Sequence, residues 1–86
     1  MQKSAVNQIL NAKSTKFNAR LVEDYALVTP TNEIFKDRAI MRVKNMGILL
    51  LDKYGDVYDS FELPYGITLV AYVEALIVRE EYKKQH

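Results

Sequence analysis

The chain has 86 residues, a formal net charge of +1, 49% hydrophobic and 27% charged side chains, and no cysteine. That length and balance predict one folded domain over residues 1–86 and argue against disorder. The near-zero charge gives no global electrostatic case for nucleic acid or a membrane surface, and the missing cysteines exclude a disulfide framework, a thiolate metal site and a cysteine nucleophile.

Residues 3–13 read as a short amphipathic helix, with Val6, Ile9 and Leu10 at helical spacing and Lys3, Gln8 and Lys13 on other faces. The opening residues lack the apolar core of a signal peptide, so with no disulfides a cytoplasmic location is expected. Residues 17–28 fit two patterns. Phe17, Ala19, Leu21, Tyr25 and Leu27 alternate as strands about a turn at Glu23-Asp24, while Phe17, Leu21, Tyr25 and Val28 also fit a helix. The β-branched finish before Pro30 favours strands. Thr31 is placed to cap a short helical turn ending at Phe35.

From Arg38 the pattern becomes β. Ala39, Met41 and Val43 alternate with Ile40, Arg42 and Lys44, and a turn follows at Asn45-Met46-Gly47, where Gly47 is free to take positive φ. Ile48-Leu49-Leu50-Leu51 has no polar face and predicts a central strand covered on both sides. A second turn at Lys53–Asp56 leads to the alternating strand Val57–Leu63. Short turns make these three strands antiparallel neighbours.

Ten of the twelve residues from Ile67 to Val78 are apolar. This run is too short to span a bilayer and too apolar all round for a surface helix. It predicts a long last helix, with Pro64 in its first turn, Lys83 and Lys84 at the negative end of its dipole and an i,i+4 pair between Glu80 and Lys84. Leu69, Val70, Val73, Leu76 and Ile77 form the arc that should cover the sheet. The opposite arc, Ile67, Ala71, Ala75 and Val78, should meet either the first helix or a second copy of the chain. Glu74, between the arcs, needs a rim position or a basic partner. The expected fold is α+β: a short N-terminal helix, an antiparallel sheet of three to five strands, and a long apolar C-terminal helix packed on the sheet.

Little in the chain suggests catalysis. The single histidine is the last residue, His86, and Gly47, Gly55 and Gly66 belong to no phosphate-cradling motif. Asp52, Asp56, Asp59 and Glu62 cluster on a hairpin too small to enclose a cleft, and their spacing is not that of a calcium loop. No enzyme activity, cofactor or metal is expected. Two binding functions remain. The first is a protein-binding module, a regulator or inhibitor of the size common among phage and mobile-element proteins, using Tyr54, Asp56, Tyr58 and Asp59 against a basic protein partner and forming a homodimer through Ile67, Ala71, Ala75 and Val78. The bland explanation of the same residues is a half-covered sheet and a decorated turn. The alternative is nucleic-acid binding through the basic first half, with Arg20, Arg38, Arg42 and Lys44 as phosphate contacts near Tyr25. Residues 1–46 carry eight basic and four acidic side chains, residues 47–78 one and five. No membrane association is expected.

Overall fold

The computed structural model describes residues 4–86, and Ser4 opens it as a helix cap. Its Oγ accepts from the Asn7 amide at 3.2 Å and starts α1, Ala5–Leu10, which buries Ala5 and Ile9. The helix is shorter than the apolar spacing predicts, because Asn11 leaves helical geometry and the Ala12 amide bonds back to Ile9 in a tightened last turn. Lys3, predicted in this helix, lies outside the described residues.

Residues 17–30 are strands. β1 (Phe17–Val22) and β2 (Tyr25–Pro30) form a hairpin about Glu23-Asp24, with Glu23 left-handed at φ 53°. Thr31 is not the cap of the next turn. Its hydroxyl donates to the Thr15 carbonyl at 2.7 Å, and the Asn32 side chain caps the single 3₁₀ turn Glu33–Phe35 instead. Arg38 still belongs to that connection, its amide donating to the Phe35 carbonyl, so β3 begins later, at Met41–Lys44. The left-handed residue of the next turn is Asn45 (φ 55°), not Gly47, which is already the first residue of β4, Gly47–Leu51. β5 spans Val57–Glu62, with a bulge opposite Leu50/Leu51 that leaves Tyr58 without a register partner.

The five strands run in the order β1-β2-β3-β4-β5, every pair antiparallel. Period-two alternation then divides the sheet into two faces. Ala26, Val28, Met41, Val43, Ile48 and Leu50 form the buried face. Each fully buried aliphatic side chain of this kind contributes about 1.5–3 kcal/mol. Leu49 points the other way and is only half-buried, so β4 is not covered on both sides as its apolar run predicts.

Helix α2 (Leu69–Gln85) closes the core. Its cap is Thr68, whose Oγ1 accepts from the Ala71 amide at 3.3 Å. Pro64 therefore lies in the approach rather than the first turn, and Gly66 bends that approach at φ 86°. Leu69, Val73, Leu76 and Ile77 are buried against the sheet and Val70 partly so. α1 packs on β1, β2, β3 and α2 but leaves the outward arc bare, with Ala71 and Ala75 exposed and Ile67 and Val78 44% and 45% exposed. Glu74 accepts from the Ser14 hydroxyl at 2.6 Å. Among the described residues, no helix is long and apolar enough to cross a membrane.

Candidate functional site

The register of the meander fixes which side chains share the open face of the sheet. Arg20, Leu27, Arg42, Leu49 and Ser60 pair in one row across all five strands. The adjacent row carries Val22, Tyr25, Lys44, Gly47 and Glu62. The Arg42 guanidinium lies 5.2 Å from the Tyr25 ring centroid, within cation–π range. Its Nε is shielded and has no hydrogen-bond partner. Lys44 is held by Asp24 at 2.6 Å, and the ammonium beside it keeps the Asp24 carboxyl below the usual carboxylate range.

A second group of cations gathers at one end of the sheet. Phe35 is buried and anchors the 3₁₀ turn. Lys36 and Asp37 are then both left-handed, at φ 52° and 56°, which turns the chain sharply and brings Lys36 and Arg38 to the rim of a groove. Opposite them stands the β4–β5 turn. The Asp52 carboxylate accepts from the Tyr54 and Asp56 amides, both at 2.9 Å, and Gly55 supplies the positive φ (85°) that the turn requires. This turn presents Lys53 and Tyr54, with the ammonium 5.3 Å from the ring centroid and Tyr54 78% exposed. The third wall is α2. Lys84 lies 5.8 Å from the Phe35 centroid, and Glu80 accepts from the Tyr58 hydroxyl at 2.7 Å while pairing with Lys83 at 3.3 Å. The predicted Glu80–Lys84 pair is thus replaced by an i,i+3 pair, because Lys84 is taken up at Phe35. Burial first, then the hydrogen bond and charge of Glu80, push the Tyr58 phenol up to about 12.

These walls enclose a shallow groove of about 720 Å³, lined by Phe35, Lys36, Arg38, Lys53, Tyr54, Tyr58 and Lys84 among others. It shares Arg38, Lys53 and Tyr54 with a second recess of about 370 Å³ that reaches Tyr25 and Arg42. That recess shares Tyr25 and Arg42 with a third hollow of about 250 Å³ over Gly47 and Leu49. The result is one continuous track from the C-terminal half of α2, past the two turns, onto the open sheet face. Six basic side chains line it: Lys36, Arg38, Arg42, Lys44, Lys53 and Lys84, of which Lys44 is ion-paired with Asp24 at 2.6 Å. Its two carboxylates are internally engaged, Asp52 by turn amides and Glu80 by Tyr58 and Lys83.

The predicted residues fall unevenly on this geometry. Arg38, Arg42 and Lys44 line the track, while Arg20 is on the same sheet face at the β1 edge. Tyr54 and Tyr58 line the groove. Asp56 is exposed on the turn, and Asp59 is half-buried beside the bulge, its carboxylate accepting from the Ser60 amide. Of the four residues of the expected acidic surface, the two tyrosines thus share the groove, and the two aspartates flank it in sequence. Lys36, Lys53, Lys84 and Phe35 carry no local sequence signal, since they come from three separate segments. No family model, curated protein or solved structure matches the chain closely enough to lend it a family or a neighbour.

Proposed function

We propose that the chain is a non-catalytic module that binds single-stranded nucleic acid along the basic, tyrosine-lined track. The observation that carries this is the convergence of six cations with Tyr25, Tyr54 and Tyr58 on one connected surface. Cations neutralise backbone phosphates, and aromatic faces accept unpaired bases of any sequence. A strand of alternating phosphate and base matches that composition. Duplex DNA fits less well. Its major groove takes a helix or a two-stranded ribbon, and the outward face of α2 carries Ala71, Ala75 and Val78 rather than cations. A basic protein docked on Tyr54, Asp56, Tyr58 and Asp59 is the weaker proposal, because the groove that Tyr54 and Tyr58 line is rimmed by Lys36, Arg38, Lys53 and Lys84, which repel a basic partner. A cytoplasmic regulator that sequesters single strands is the role this ligand suits.

Binding of a labelled oligothymidylate followed by fluorescence anisotropy tests the proposal. Four phosphate contacts give a slope of log K against log salt of about −3 for a single strand. Arg38→Ala combined with Arg42→Ala should weaken binding about tenfold or more, and Lys53→Ala should flatten the slope by about one. Absence of binding at low salt, or binding untouched by these variants, overturns it.

A second copy of the chain is the occupant proposed for the outward face of α2. Ala71, Ala75, Val78 and Tyr82 recur there at heptad spacing, and Tyr82 is 63% exposed. Glu74 flanks the stripe on one side and Arg79 on the other, five residues apart. A parallel pair would therefore set each Glu74 opposite Arg79 of the second copy.

A further inference from the structure

Gly47 is the first residue of β4 and is paired on both sides, to Lys44 of β3 and Glu62 of β5. Glycine weakens a strand, and inside one it marks a bulge or a place where another group approaches the backbone closely. The backbone does not require it here. Its φ is not positive, the bulge lies at the other end of the strand, and the turn's left-handed residue is Asn45. Crowding does not require it either. A Cβ built on Gly47 would meet nothing closer than the Lys44 carbonyl oxygen at 3.5 Å, an ordinary contact. What the missing side chain does create is the hollow of about 250 Å³ above it.

We propose that this hollow is a slot for a single nucleobase, an inference that rests on the track being a nucleic-acid site. Its walls are Tyr25, Leu49 and the stems of Arg42 and Lys44. These are the surfaces that hold a flat, largely apolar ring: an aromatic face, a branched aliphatic chain, and a guanidinium already stacked on the tyrosine. At about 250 Å³ the hollow lies below the roughly 300–1,000 Å³ of drug-sized pockets, a size for one ring system rather than a larger ligand. It shares the Tyr25–Arg42 wall with the recess lined by Arg38 and Lys53, so a base seated over Gly47 has its phosphate beside Arg42 and next to that recess. A phosphate alone gains little from the hollow, because its floor is glycine and leucine.

Gly47→Val fills the slot with a residue suited to strands and leaves every cation in place. The variant should remain folded. It should lose about tenfold in affinity for oligothymidylate, a loss of the size expected for one stacked base, and bind inorganic polyphosphate as the wild type does. An abasic oligonucleotide should bind the wild type about tenfold more weakly than its base-bearing counterpart, a comparison that needs no variant. Unchanged oligothymidylate binding by folded Gly47→Val overturns the slot while the track stands, and equal binding of abasic and base-bearing strands overturns the slot together with base stacking elsewhere on the track. Failure of the wild type to bind either oligothymidylate or polyphosphate overturns both.

Discussion

Glu74 and Glu80 show how far single residues could be read. A carboxylate between two apolar arcs of a helix must find a donor, and Glu74 does, but the donor is a hydroxyl sixty positions away at Ser14 rather than a base. Nothing in the spacing of α2 could place that loop. Glu80 was legible as a salt-bridge residue, but its stronger partner is the Tyr58 hydroxyl, delivered by a bulge that alternation does not reveal. This pair makes a pH-dependent prediction. The Tyr58 phenol has an ordinary value of 10.0 and is pushed up to about 12. Between those values the folded chain keeps a proton that the unfolded chain has lost. The contribution to stability is thus intact below the lower value and disappears as pH rises through the higher one. The absorbance titration of the folded protein should contain a tyrosine component near 12 that Tyr58→Phe removes. If the component that Tyr58→Phe removes lies near 10 instead, the phenol is neither shielded nor held by Glu80 as described.

At the scale of elements, alternation located the strands because each has one buried and one open face, as in Met41 and Val43 against Arg42 and Lys44. Boundaries were harder. Pro64 suits a first helical turn, but Gly66 at φ 86° breaks the path and Thr68 supplies the cap. Thr31 and Asn32 are both capping residues, and the hydrogen bond from Thr31 to the Thr15 carbonyl leaves the task to Asn32. The apolar run of α2 allowed either α1 or a second copy on its far arc, and α1 packs on β1–β3 and α2 without covering that arc. Self-association is the prediction that belongs here. Light scattering at micromolar concentration should give twice the 9.9 kDa of one chain. Ala75→Arg should give the single-chain mass with the fold intact, because Ala75 is exposed and its substitution opens no cavity. A wild type that stays at 9.9 kDa across a wide concentration range rules out the pairing.

The whole molecule adds what neither scale contains. The α+β arrangement was legible from the order of periodic segments, since a meander with short turns and one long helix has few ways to bury a single face. The track was legible only in fragments. Arg38, Arg42 and Lys44 stood out as a basic run. Their continuity with Lys36, Lys53 and Lys84 depends on two consecutive left-handed residues after Phe35 and on the β4–β5 turn facing them. Net charge misled because it sums the whole chain and hides that three separate segments bring their cations to one surface. The most direct test of the binding surface is amide chemical-shift mapping of the protein at low salt as a short oligothymidylate is added. The largest shifts are expected at Lys36, Arg38, Arg42, Gly47, Lys53 and Tyr54, with the outward residues of α2 unchanged. Shifts confined to Asp56, Asp59 and α2, or no shifts at all, would contradict it.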